Sequence, residues 1–155
     1  MHVFFDSEFT QLSTRAKLIS VGFVTQDGRE FYGELHEGWS LDDCSDFVHR
    51  EVIPHLGSVR TMSLLELRSC LKEWLESLAD SVEILTDSPE WDWPWISFIF
   101  PEERDWPCNL ASQPVRYFID EVALQKEKRF RQFRAHHALD DARLMYRVWR
   151  RVDWK

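Results

Sequence analysis

Apolar and polar positions change period several times along the chain, and the changes mark the elements. Val3-Phe4-Phe5 opens an apolar run that predicts a first strand over residues 2–6, running into Asp6-Ser7-Glu8. Residues 16–25 are long, apolar and rich in β-formers, and predict a second strand. Asp27-Gly28 is a hairpin signal that returns the chain through a third strand over 30–34, so three antiparallel strands are expected first. Ser40 with Asp42 and Asp43 predicts a helix running through Phe47 and Val48 to Pro54. Ser63 and Glu66 form a capping box ahead of Leu64, Leu67, Leu71, Trp74, Leu75 and Leu78 at helical spacing. Residues 82–86 form a short apolar strand, and this helix-to-strand crossover predicts that later strands join in parallel. Residues 91–100 predict a helix with Pro94 in its first turn, and 101–114 a loop. Residues 116–120 fit either a fifth strand or the start of a helix. The last helix spans about 138–151, with Ala138, Ala142, Met145, Trp149 and Val152 as its buried stripe. The expected fold class is α/β: a mixed sheet of antiparallel and then parallel strands flanked by helices.

Composition narrows this. A chain of 155 residues with 44% hydrophobic and 14% aromatic residues suits one folded domain covering 1–155 and excludes general disorder. Neither a leader peptide nor a bilayer-length apolar run is visible, so no membrane association and a cytoplasmic location are expected. Cys44, Cys70 and Cys108 are odd in number and widely spaced, which argues against a zinc site or disulfide framework and for reduced, mostly core thiols. The net charge of −8 conceals a division: residues 126–155 carry ten Lys/Arg against four Asp/Glu, on an otherwise acidic body. Such a basic segment could guide a polyanion, although a solvated, charge-rich helix is the commoner explanation of such a run.

Side chains in a strand repeat every second residue, so Asp6 and Glu8 share one face while Phe5 and Ser7 point to the other. Two carboxylates so close repel, and a hard divalent cation between them is the usual way to keep both ionised. The alternative is a solvated loop after a short strand. Asp141 tips the balance: it borders the apolar stripe of the last helix, whereas Asp140 turns about 100° away. An acid on a core-facing edge needs a partner, which Asp6 and Glu8 can provide only through a cation.

Three separated motifs, taken in order, resemble the DEDDh family of 3′-to-5′ exonucleases, which have an RNase H-like fold. Asp6-Ser7-Glu8 matches the family's D-x-E on the first strand, Trp91-Asp92 its aromatic-Asp pair after a middle strand, and His136 through Asp141 its H-x-A-x-x-D. Phe5-Asp6-Ser7-Glu8-Phe9, Leu18 to Gly22, Asp27 to Tyr32 and Asp92-Trp93-Pro94 are most similar to small bacterial and phage stand-alone exoribonucleases of the mycobacterial type. The resemblance implies a metal-dependent exoribonuclease that trims single-stranded RNA or 3′ overhangs and releases nucleoside monophosphates. It also implies a homodimer in some relatives. DNA exonucleases share all three motifs, and a silent nucleic-acid-binding module of the same fold is the alternative of a different class.

On this resemblance Asp6, Glu8, Asp92 and Asp141 would ligate two Mg²⁺ ions, with Mn²⁺ able to substitute, about 3.5–4 Å apart around the scissile phosphate. His136 would be the general base, since an imidazole titrates near neutral pH, and its place before the helix would let it swing away without substrate. His137 is the competing base, but only His136 lies five positions before Asp141. Asp87 is the competing ligand to Asp92. Phe9 and Thr10 would touch the 3′-terminal nucleotide. Trp91, Trp93, Trp95 and Trp106 would serve as core or a subunit interface rather than base-stacking platforms. Lys126, Lys128, Arg129, Arg131 and Arg134 would line a phosphate path or simply be solvated.

Overall fold

The computed structural model describes residues 1–130 and 134–152. A five-stranded sheet runs in the order β3-β2-β1-β4-β5, with β1 His2–Phe9, β2 Leu18–Thr25, β3 Glu30–Glu34, β4 Glu83–Thr86 and β5 Val115–Arg116. β2 is antiparallel to both β1 and β3, while β4 is parallel to β1 and to β5, as the crossover predicted. The first strand is longer than its apolar run, because β2 supplies ladder partners that carry the pairing through Asp6, opposite Gly22, and Glu8, opposite Ser20. Sheet pairing here overrides the cost of placing acids in a strand.

The helices are α1 Asp46–Glu51, α2 Leu64–Glu76, α3 Pro89–Ile99, α4 Glu121–Phe130 and α5 Ala138–Val152. They cover the two faces of the sheet unequally. Val3, Phe5, Val21 and Phe23 face α2 and α3, packing on Leu67, Leu71, Leu75, Ile96 and Ile99 in the main core. Phe4 and Leu85 face the other way onto Met145, and Val24 meets Leu139 and Ala142 of α5. Odd positions of β1 therefore look toward α3 and even ones toward α5. Asp6 and Glu8 inherit the even face and Ser7 the odd.

Several expectations are corrected. The helix predicted from Ser40 is split: a 3₁₀ turn spans Leu41–Asp43, and α1 restarts at Asp46 because Cys44 is extended and Ser45 accepts the Val48 amide as a second cap. Pro89, not Pro94, opens α3; Pro94 sits inside it and withholds the amide that would bond the Glu90 carbonyl. The ambiguous stretch at 116–120 leads from a two-residue strand, β5, into α4, so each of its two readings holds in part. In α5, Val148 is buried and Val152 exposed, because the stripe turns away from the sheet in the last turn. Cys70 and Cys108 are exposed and Cys44 half-buried, so the thiols are free but not core. No described helix is long and apolar enough to cross a membrane.

Candidate metal centre and cleft

The β1–β2 ladder holds Asp6 and Glu8 on the central strand, just past the end of its pairing with β4, and α5 lies across them. Gly22 makes that approach possible. It is the partner of Asp6 on β2, and a methyl group there would collide with the Ala138–Leu139 backbone, within 2.5 Å of the Ala138 carbonyl oxygen. The first turn of α5 thus rests on bare β2 backbone, which brings Asp141 over β1. Carboxylate oxygens of Asp6, Glu8 and Asp141 lie within 4.8 Å of one another, and a second group, Asp6, Asp87 and Asp92, is equally close. Asp6 belongs to both groups.

Burial dominates the electrostatics here. It raises Asp6 well above the usual carboxylate range, and the neighbouring charges of Asp92, Asp141, Glu8 and Asp87 add to the effect. Burial, then Asp141 and Asp92, push Glu8 to about 8. Asp141 rises to about 7, burial outweighing the backbone amides of His137 and His136. Asp92 rises only to about 6, because hydrogen bonds from Ser7 and Thr86 oppose its burial. Clustered oxygen donors with no cation among them hold protons that a hard divalent ion would displace. The donor set fits such an ion, and its chemistry is that of an oxygen-ligated divalent metal.

His136 lines the same cleft, a cavity of about 660 Å³ whose walls also include Asp6, Glu8, Phe9, Phe47, Asp87, Trp91, Asp92 and Asp141. Its backbone is left-handed at φ 61°, and its ring meets Phe47 edge-on at 4.9 Å. His137 is different: it is 3% exposed, packs at 4.7 Å from the Tyr32 ring, and burial lowers its pKa. The two adjacent histidines are thus divided between cleft and core. Asp140 turns outward as helical geometry requires, bonding Arg134 and Arg143 at 2.7 Å each.

The flanking residues divide too. Phe9 stacks on Trp91 at 6.2 Å, and Trp91 is 45% exposed. Trp93, Trp95 and Trp106 pack against the main core. Thr10 is fully buried, and its hydroxyl accepts the Lys17 amide at 3.0 Å. That side chain closes the β1–β2 junction, away from the residues that line the cleft. Lys126 and Lys128 are exposed on α4; Arg131 and the side chain of Arg129 lie outside the described residues. Sequence reasoning overlooked Phe47, Leu12 and Gly22 as parts of the site. Only Gly22 left a signal, as a glycine in an apolar strand opposite the first acid.

Over 100 residues the chain is 31% identical to a 3′-5′ exoribonuclease of Mycobacterium tuberculosis, found in two strains, covering 62% of this chain and 54% of the relative. The chain therefore spans about half the length of the curated relatives it matches. A full-length 3′-exonuclease superposes with a TM-score of 0.58 at 11% identity, covering 99% of this chain and 81% of that one. Exonuclease I from Methylocaldum szegediense gives 0.56 at 12% identity, covering 99% of this chain and 41% of that one. At such low identity these two establish the fold, a mixed sheet flanked by helices shared with exonucleases. No protein-family model matches the chain.

Proposed function

We propose that this chain is a single-domain, DEDDh-type 3′-5′ exoribonuclease that removes nucleoside monophosphates from the 3′ end of single-stranded RNA or 3′ overhangs. One observation carries it: carboxylates from β1, the β4–α3 junction and α5 converge on one cleft, with His136 on the same wall. The named exoribonuclease relatives support RNA as the substrate. Two Mg²⁺ ions, or Mn²⁺, would be held by Asp6, Glu8, Asp92 and Asp141, supplying positive charge at the scissile phosphate and at the attacking water. His136 takes the proton from that water as general base. Phe9 and Trp91 flank the terminal nucleotide. His136, whose ring now meets Phe47 edge-on, turns toward the acids when substrate arrives. The free thiols are in keeping with a cytoplasmic enzyme, and a homodimer would be read from its mass in solution.

The test is purified protein with 5′-labelled single-stranded RNA and a DNA oligomer of the same sequence. A ladder of RNA shortened from the 3′ end with Mg²⁺ or Mn²⁺, abolished by chelator, is expected. Intact RNA with either metal refutes the activity, and faster loss of DNA reassigns the substrate.

A further inference from the structure

The middle residue of Asp6-Ser7-Glu8 is more than a spacer. Strand alternation turns Ser7 away from its two acidic neighbours and toward the face shared by Val3 and Phe5, where α3 begins. There its hydroxyl donates to Asp92 Oδ1 at 2.5 Å, across 85 positions of sequence. The other oxygen, Oδ2, accepts from the hydroxyl of Thr86, the last residue of β4. Thr86 has little choice of direction, since its own oxygen accepts the Ser88 amide at 3.1 Å, which leaves its proton for Asp92. Asp92 is 2% exposed, and Ser7 and Thr86 are buried with it.

A carboxylate on a buried helix turn can still rotate about its side-chain bonds, and each rotation would move its oxygens relative to Asp6 and Asp87. Two hydroxyls arriving from different strands, one on each oxygen, remove that freedom. Each oxygen keeps a second lone pair, and the pair of Asp6 and Asp87 lies within 4.8 Å of Asp92. We propose that Ser7 and Thr86 are positioning residues that fix the carboxylate plane of Asp92, so that it meets a divalent cation together with Asp6. Asp6-Ser7-Glu8 thereby serves the site from both faces of one strand: the acids on the α5 side, and Ser7 as the orienter of an acid on the α3 side. The inference rests on the metal-dependent reading of the cleft.

It is tested by equilibrium Mn²⁺ binding without nucleic acid, followed by electron paramagnetic resonance of the free ion, on wild type, Ser7→Ala, Thr86→Val and Ser7→Thr. Removing one orienting partner of a metal ligand weakens affinity by about 10- to 100-fold in general. Ser7→Ala and Thr86→Val are each expected to raise the Mn²⁺ dissociation constant by about that factor, and Ser7→Thr to recover most of it. In the nuclease assay the metal concentration at half-maximal rate should rise in parallel, with KM for RNA little changed. Thr25→Val, a buried hydroxyl at the far end of β2 bonded to Asp27, controls for a general loss of packing and should leave Mn²⁺ affinity intact. Ser7→Ala and Thr86→Val binding Mn²⁺ within twofold of a binding wild type overturns the positioning role and leaves the nuclease standing. A wild type that binds neither Mn²⁺ nor Mg²⁺ overturns both.

Discussion

Asp6 is common to both groups of acids, so replacing it with asparagine makes a strong prediction about the metal-free protein: Asp6→Asn abolishes turnover and raises stability. The physical cause is crowding of like charge in a buried place. Two ionised carboxylates about 5 Å apart repel by roughly 3 kcal/mol at an effective dielectric constant near 20, and the site avoids that by holding protons. Asp6, Glu8, Asp92 and Asp141 all have folded pKa values above their ordinary ones, so the folded state binds more protons than the unfolded chain. Their contribution to stability must therefore fall as pH rises, from the ordinary carboxylate value near 4 toward the folded values of about 6 to 8. Each carboxylate held protonated costs about 1.4 kcal/mol per pH unit across that window. From pH 5 to pH 7 the upper bound for one such group is about 3 kcal/mol, reduced where neighbours share the proton.

Asp6→Asn should thus exceed wild type at pH 7 in chelator by about 1–3 kcal/mol, a Tm rise of roughly 2–10 °C for a domain of this size. Thermal melts followed by circular dichroism at pH 5, 6, 7 and 8 would show the gap closing toward pH 5. Saturating Mg²⁺ should reverse the order, because a ligand at one hundred times its dissociation constant adds about 2.7 kcal/mol to the protein that binds it. A variant that melts at or below the wild-type temperature at pH 7 in chelator, or a gap independent of pH, would refute the electrostatic account.

The two histidines should separate by assay. His136→Ala is expected to slow turnover by about 10²- to 10⁴-fold with little change in Tm, whereas His137→Ala should lower Tm by opening a cavity beside Tyr32; equal rate losses would contradict the division. Trp91→Ala should weaken single-stranded RNA binding by about 1–3 kcal/mol, read by fluorescence anisotropy in Ca²⁺ or chelator, if a base stacks on its exposed face. Gly22→Ala should reduce both stability and Mn²⁺ affinity, since the added methyl displaces the first turn of α5 and Asp141 with it; unchanged Mn²⁺ affinity would show that α5 does not need that close approach.

Local rules reached most of these parts. Period-2 alternation placed Asp6 and Glu8 on one face, the Asp27-Gly28 turn set the β2–β3 pairing, and the Ser63–Glu66 box started α2 at the residue observed. Spacing to Asp141 set His136 apart from His137, and of the two it is His137 that the fold buries. What was missed depends on partners distant in sequence. The length of β1 comes from β2, and α4 follows a strand too short to mark its own end. Ser45 interrupts what periodicity alone would run together. Thr10 looked available beside the motif, but its hydroxyl is taken by the returning strand at Lys17. Ser7 and Thr86 carry no pattern at all, because a hydroxyl's role is decided by what lies 2.5 Å away and not by its neighbours in the chain.

The position of β1 in the sheet has a consequence for how the molecule wears out. Paired with β2 along its length and with β4 as far as Phe4, β1 roots Asp6 and Glu8 in the part of a fold that exchanges its amide hydrogens last. His136 stands outside that ladder, seated by its own left-handed backbone and the edge of Phe47. On warming, His136, the proposed base, should lose its seat well before the acids lose theirs. If the proposed activity holds, an ageing sample would then pass through a stage in which it still captures its ions and no longer cuts, a silent competitor for the substrate ends of intact copies.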